Sequence, residues 1–275
     1  MTALSSAHRI LAALIEARTG QQLTPSRAWR IDTALAPLMR ELSCPSLDTL
    51  AALLATGDDA LTGRVVEALL NNETSFYRDR DVFTLVETQL LPALQQARGT
   101  QRRIDIWCAG CSTGQEPYSL AMMFGDASLR WRDWTVSIVG TDVSASAVAR
   151  AKAGRFTRFE IQRGLPVRGM LRWFKEVGEE WQAVAELRRG VRFQKHNLFD
   201  PPPGRFDVIF CRNVLMYFAP SARRRAFERL AEALTPEGLL VLGAGETVLG
   251  QTELFTPHPI MRGLYHRSGA AAIAA

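Results

Sequence analysis

Cysteine is scarce in this chain of 275 residues. Cys44, Cys108, Cys111 and Cys211 are too few and too unevenly spaced for the disulfide framework of a secreted protein, so they read as thiols of a reducing compartment. Long apolar runs are missing too. No stretch reaches the roughly 18 to 20 residues needed to cross a bilayer. Met1 to Gly20 carries His8, Arg9, Glu16 and Arg18 where a secretory signal would be uninterrupted. A cytoplasmic location without membrane insertion is therefore expected. Histidine is equally sparse: His8, His196, His258 and His266 are scattered and no second cysteine pair exists, so no metal centre is expected. Acidic residues are in the minority, 28 against 33 Lys+Arg, for a net charge of +5 with Arg far outnumbering Lys. That balance suits an acidic partner, and charge alone does not choose among nucleic acid, an anionic membrane surface and a Glu-rich protein.

What is present is enough apolar residue, 47%, for one full core and a smaller satellite. From Ser6 to about Asn71, apolar residues recur at helical spacing, as in Ile10, Leu11, Leu14 and Ile15. Breaks at Gly20, Pro25, Pro45 and Gly57 divide this stretch into four or five short helices. The spacing of Phe83, Val86, Leu90 and Leu94 predicts one further helix from Asp79 to Gln96. After Gly99, β-rich runs alternate with helical ones: RIDIWCA, a helix near Tyr118, WTVSIVGTD, a helix from Ser144, FDVIFCRN, a helix from Ser221, and GLLVLGAGE. Such alternation marks an α/β fold with a doubly wound, Rossmann-like sheet. The expected division is a helical domain over 1–75, a linking helix over 76–98 and the α/β domain over 99–267. Between Gly154 and Arg192 the rhythm is lost, which points to an inserted β-subdomain over 154–192, and the small residues of 268–275 read as a disordered tail.

Ligands of open α/β sheets bind beyond the carboxyl ends of the strands, so the residues following each strand carry the information. After the first strand, Gly110 and Gly114 permit close backbone approach and Pro117 suits a first helical turn. Glu116 puts a negative group at that helix start, where a pyrophosphate would need a free one. A cofactor with cationic sulfonium and ammonium groups fits better than NAD or ATP. After the second strand, Asp142 offers a carboxylate to ribose hydroxyls. Each residue has a structural alternative: Glu116 can stabilise a helix start, and Asp142 can cap the helix that follows.

The segments NNETSFYRD, WCAGCSTGQEPYSLAM, GTDVS, NLFD and FDVIFCRNVLMYF, in this order, resemble the chemotaxis receptor methyltransferases of the CheR family. The resemblance extends from the N-terminal helices to about Gly263. It implies S-adenosylmethionine as cofactor, with Asn72, Thr74 and Arg78 closing over it from the helical side. It further implies cofactor contacts at Glu116, Asp142, Asn197, Leu198, Asn213 and Val214. Arg78 could pair with the methionine carboxylate, and Asn197 with Leu198 suits adenine. Thr74 could instead cap a helix, and Asn213 could simply end its strand. The implied reaction transfers the sulfonium methyl to glutamate side chains on the cytoplasmic helices of a chemoreceptor. Glutamate is ionised at neutral pH, so no general base is required. Tyr217 is the one candidate to face the transfer site, with a core position beside Phe218 as its structural alternative. Arg27 and Arg30, three apart on the second helix, are the candidate contacts to the acidic acceptor or else a solvated helix face, whereas Arg223-Arg224-Arg225 marks the exposed side of its helix. A monomer is expected.

Other readings are weaker. Cys108-x-x-Cys111 resembles a thioredoxin signature, but there a helix starts at the first cysteine and Pro117 would interrupt it. A nucleic-acid methyltransferase would place its Asp-Pro-Pro-aromatic motif after the fourth strand, whereas Asp200-Pro201-Pro202-Pro203 precedes that strand. Docking through a receptor's C-terminal peptide would use a Gly-x-Gly turn, and Gly164, Gly169 and Gly178 occur singly. A non-catalytic receptor-binding member stays compatible with the motifs, because a displacement reaction without a base leaves no diagnostic residue.

Overall fold

The computed structural model describes residues 5–24 and 28–269. Arg27 and residues 270–275 of the expected tail lie outside the described residues. Contacts divide the chain into two compact units, Met1–Asn71 with Tyr217–Ala222, and Asn72–Met216 with Arg223–Ala275.

The first unit contains α1 (Ser6–Thr19), α2 (Trp29–Glu41), α3 (Leu47–Leu54) and α4 (Asp59–Leu69). Local chemistry sets the helix ends. The side chains of Ser5, Ser46 and Asp58 accept hydrogen bonds from first-turn backbone N–H groups, and Gly20, at φ 76°, closes α1 in the left-handed conformation. The helices enclose Leu11, Ile15, Ile31, Leu35, Leu50 and Val65, all essentially without exposure.

In the second unit the helix expected from Asp79 is not uniform. It runs as α5 (Arg80–Leu85), a π-helical turn over Val86–Leu90, and α6 (Leu91–Ala97). Pro92 cannot donate to the carbonyl four residues back and its ring crowds that carbonyl, so the preceding turn widens. Thr84 and Thr88 hydroxyls bond back to the Arg80 and Thr84 carbonyls in the same stretch.

The chain then alternates β1 (Arg103–Ala109), α7 (Gln115–Asp126), α8 (Ser128–Trp131), β2 (Thr135–Asp142) and α9 (Ala145–Ala153). An inserted section follows, with β3 (Arg155–Thr157), α10 (Arg158–Gln162), α11 (Val167–Trp173), β4 (Phe174–Val177), β5 (Glu180–Ala183) and α12 (Ala185–Arg189). The main sheet resumes with β6 (Val191–Lys195), β7 (Phe206–Cys211), α13 (Pro220–Ala233), β8 (Leu234–Leu242), β9 (Phe255–Pro257) and β10 (Leu264–Arg267). Seven strands form that sheet in the order β6-β2-β1-β7-β8-β10-β9, while β3, β5 and β4 make a separate antiparallel sheet. Strands β6, β2, β1, β7 and β8 are parallel, and β10 and β9 add an antiparallel edge. Every residue of β7 is buried, as a central parallel strand covered on both faces requires.

The Arg223-Arg224-Arg225 run is more than a solvated face. Arg223 donates to the Leu215 carbonyl at 3.1 Å and to Gln251 Oε1 at 2.9 Å, and the Arg225 guanidinium lies 4.9 Å from the Phe199 ring centroid. Arg224 and Arg225 are exposed, as expected of that face, while Arg223 is half-buried against its two acceptors. Among the described residues no helix is long and apolar enough to cross a membrane, and no cluster of three His, Cys, Asp or Glu could hold a metal ion.

Candidate functional site

The order of strands reverses between β1 and β7: β2 and β6 lie beyond β1 on one side, and β8 beyond β7 on the other. A crevice forms at such a switch point because the flanking loops leave in opposite directions. Gly110, at φ +78°, opens the loop after β1, and a Cβ built there would stand 2.4 Å from Val214 Cγ2 in the loop after β7. The two loops therefore approach to a distance that only glycine allows. The Gly110 and Cys111 N–H groups both donate to the Thr141 carbonyl at 2.8 Å, fastening this loop to the end of β2. A Gly110→Ala variant is expected to lose about 1–2 kcal/mol from the left-handed backbone alone, and to bind S-adenosylmethionine about tenfold or more weakly as Val214 is displaced. Calorimetric titration checks it; unchanged affinity would remove Gly110 from the site.

Asp142 is the last residue of β2 and is buried. Its Oδ2 accepts from the Ser112 N–H at 2.8 Å and its Oδ1 from the Ser144 N–H at 2.9 Å. The helix-capping alternative belongs to Ser144, whose hydroxyl accepts from the Ala147 N–H. A carboxylate offers about four lone-pair sites, so ribose hydroxyls can share it with these two donors. After β6, the Asn197 side chain accepts from the Phe199 N–H at 3.1 Å, a local turn that sets the half-buried Leu198 beside it. The His196 N–H donates to the Asp142 carbonyl, tying the two strand ends together.

After β7 the backbone turns left-handed at Asn213, φ 58°, a conformation asparagine tolerates. Glu246, following β8, explains why it does. Its Oε2 accepts from the N–H groups of Asn213 at 2.7 Å and Gly243 at 2.9 Å. Its Oε1 accepts from those of Val214 at 3.0 Å and Met216 at 3.1 Å. The Asn213 Oδ1 is buried with no hydrogen-bond partner among the described residues. An orphaned acceptor at the switch point, near Gly110 and the Asp142 carboxylate, fits an adenosyl cofactor with hydrogen-bond donors to place there.

The segment from Asn72 to Asp79 joins this edge: the Ser112 hydroxyl donates to the Asn72 carbonyl at 2.7 Å. Thr74 is half-buried and caps no helix, since α5 begins only at Arg80 and follows Asp79. Arg78 Nη1 donates to the Glu73 carbonyl at 3.0 Å, with Nη2 3.6 Å from the Glu73 carboxylate. Hydrogen bonding from Arg163 holds the Glu73 carboxyl below its ordinary range. An open groove of about 460 Å³ takes in Asn72, Thr74, Thr113 and Gln115 but none of Asp142, Asn197 or Asn213, so it adjoins the crevice without being it.

Glu116 requires a correction to the charge argument. It is not a lone negative group at the start of α7: Arg212 Nη1 donates to its Oε2 at 2.8 Å. The same guanidinium reaches Asp79 Oδ2 at 2.7 Å and the Arg78 carbonyl at 2.9 Å, with its side chain only 2% exposed. Burial pushes the Glu116 carboxyl upward, and Arg212 opposes that shift. Two carboxylates around one guanidinium leave the group net negative, so the charge argument against phosphate rests on Glu116, Asp79 and Arg212 together. Arg212 and Glu246 were both missed by sequence reasoning. Arg212 stood inside a motif already singled out, but its partners lie 133 and 96 positions away. Glu246 has no signal beyond following a strand.

Burial raises the thiols of Cys108 and Cys111 well above their ordinary value, and neither is exposed, which is the reverse of a reactive redox pair. Tyr217 groups with the helical unit, where its hydroxyl accepts from Asn71 Nδ2 at 2.8 Å. Arg30 is half-buried in the first turn of α2 of that unit.

The family described as CheR methyltransferase, SAM binding domain, matches residues 72–263. A chemotaxis protein methyltransferase of Vibrio parahaemolyticus is 35% identical over 254 residues, spanning 90% of this chain and 91% of that protein. Chemotaxis protein methyltransferase 1 of Pseudomonas aeruginosa is likewise 35% identical over 254 residues, spanning 90% of this chain and 92% of its own.

Proposed function

The chain belongs to the CheR methyltransferase family and takes S-adenosylmethionine as its cofactor, and from that premise we propose that it is a protein-glutamate O-methyltransferase acting on the cytoplasmic helices of chemoreceptors in sensory adaptation. The observation that carries the reading is the convergence of the family's scattered segments on one strand edge, where Asn213 Oδ1 stands buried and unpartnered among the described residues. When bound, the cofactor would supply a sulfonium methyl group: its carbon–sulfur bond breaks as a carbon–oxygen bond to the acceptor carboxylate forms, and S-adenosylhomocysteine is the leaving group.

The chain's own residues then have binding and orienting work. Asp142, held by two backbone donors, accepts from ribose hydroxyls. Asn197 and Leu198 flank adenine, and Asn213 and Val214 line the crevice opposite Gly110. Asn72, Thr74 and Arg78 form a clasp in which Arg78 answers the methionine carboxylate, and Glu116 answers the ammonium with Arg212 behind it. No residue is assigned a proton, because a glutamate of pKa about 4.3 arrives ionised. Positioning and exclusion of water supply the rate. Arg27 and Arg30 are proposed to meet the acidic acceptor helix, and the protein is proposed to work as a cytoplasmic monomer.

The test is incubation with methyl-labelled S-adenosylmethionine and receptor-containing membranes, then mild base. Volatile methanol released from a receptor-sized band is the expected result. Base-stable label would move the acceptor to nitrogen or nucleic acid. Arg78→Ala should raise the cofactor Kd about tenfold or more; an unchanged Kd would remove Arg78 from carboxylate binding.

A further inference from the structure

The segment Asn72 to Asp79 has no helix or strand of its own, yet it is moulded closely. Tyr77 and Asp79 both hold left-handed backbone, at φ 48° and 58°; an aspartate tolerates this region, but a bulky tyrosine keeps it only under constraint from outside. One source is α7, whose Ser119 hydroxyl accepts from the Tyr77 N–H at 3.0 Å. The larger source is the inserted section. Phe76 has 0% exposure, with its ring 5.0 Å from that of Phe156 on β3 and 5.4 Å from that of Phe174 on β4, both edge-on. Glu73 pairs with Arg163, which follows α10. Gly164, at φ +90°, lies flat on the Phe76 carbonyl: a Cβ there would fall 2.0 Å from that oxygen. Backbone stands against backbone at this point, so no rotamer change could make room.

We infer that the inserted three-stranded sheet is the mould of the cofactor clasp, and that Phe76 and Gly164 are positioning residues that set cofactor affinity without touching the cofactor. This rests on the reading of Asn72, Thr74 and Arg78 as the clasp. The physical reason is that a segment lacking its own hydrogen-bond ladder takes its shape from what it packs on. Phe76 is the anchor, the Glu73–Arg163 pair braces one side, and Gly164 fixes how near the backbone may come. Displacing the Phe76 carbonyl would shift Thr74 and Arg78, two residues away on either side.

A matched pair of glycines isolates the effect. Gly164 and Gly178 both have positive φ, 90° and 65°, and both belong to the inserted section, but an added Cβ at Gly178 meets nothing within 4 Å. Alanine at either carries a similar backbone penalty; only at Gly164 does it push the clasp. Calorimetric titration with S-adenosylmethionine, thermal melting of the cofactor-free protein, and KM and kcat would be compared for Gly164→Ala, Gly178→Ala and Arg78→Ala. Gly164→Ala is expected to raise Kd and KM for the cofactor about tenfold or more, with kcat at saturation changed far less. Gly178→Ala should stay within about twofold in Kd, with the smaller fall in melting temperature that the shared backbone penalty alone implies. Equal rises in Kd for the two glycine variants, or none for Gly164→Ala, would overturn the inference. If Arg78→Ala weakens binding while Gly164→Ala does not, the clasp stands and the mould falls. If neither Arg78→Ala nor Asn72→Ala weakens binding, the clasp reading falls and this inference with it. Should Gly164→Ala fail to fold, Phe76→Leu, which keeps apolar bulk but loses both ring contacts, carries the same expectation against Gly178→Ala.

Discussion

Replacing Arg212 with alanine is expected to lower unfolding stability by about 3–5 kcal/mol and to abolish measurable cofactor binding, because it strands the buried Glu116 carboxylate beside an uncompensated Asp79. Three acceptors lose their donor at once: Glu116, Asp79 and the Arg78 carbonyl. The Phe83 ring loses the guanidinium 5.7 Å from its centroid. Two controls separate charge from packing. Arg212→Met combined with Glu116→Gln removes the pair together and should recover much of the stability, since replacing both buried charges is far less costly than orphaning one.

The second control is pH. Burial already raises the Glu116 carboxyl with Arg212 in place, and removing the cation leaves burial unopposed. A carboxyl whose folded pKa lies above its unfolded value favours the folded state at low pH, and loses that contribution as pH rises through the folded pKa. The Arg212→Ala deficit should therefore be smaller near pH 5 than near pH 8. Urea unfolding at the two pH values reads this; a deficit under about 1 kcal/mol, or one independent of pH, would show that the pair is not the strut described.

The second large effect is expected at Glu246. Its two oxygens accept four backbone N–H groups, and three of them belong to the loop carrying Asn213 and Val214. Glu246→Gln keeps one oxygen but turns an amide NH₂ toward two donors. At about 1.5 kcal/mol or more per lost charge-assisted bond, a stability loss of about 3 kcal/mol is expected. Release of the left-handed Asn213 should raise the cofactor Kd about tenfold or more. Glu246→Ala, which removes both oxygens and all four bonds, should cost more than Glu246→Gln, about 6 kcal/mol by the same count. The loss in the isosteric glutamine variant distinguishes acceptor geometry from mere volume, and a wild-type Kd or stability in that variant would refute the role.

Much of the site's outline was legible because strand ends are local events. RIDIWCA predicted β1 to the residue, and Asp142 fell at the last position of β2. Once period and turn chemistry mark where a strand stops, the residues beyond it are known to face the crevice, since parallel strands have nowhere else to put a ligand. The regular helix expected across Val86–Leu90 was the local miss. Its periodicity is genuine, but periodicity does not report that Pro92 removes a donor and widens the turn before it.

By itself the sequence determined the class of sheet, the order of its elements, and the family segments that mark an adenosyl cofactor, all of which depend on spacing or on short contiguous motifs. Tertiary structure alone decided what holds those segments in place. Glu116 looks like a free charge until Arg212 arrives from the end of the neighbouring strand β7. Asn213 looks like a strand terminus until Glu246 gathers the loop around it. Phe76 and Gly164 are an ordinary aromatic and an ordinary glycine until a backbone oxygen and a missing Cβ meet. Buried ion pairs and backbone-on-backbone contacts join residues with no fixed separation along the chain, so no reading of spacing could have found them.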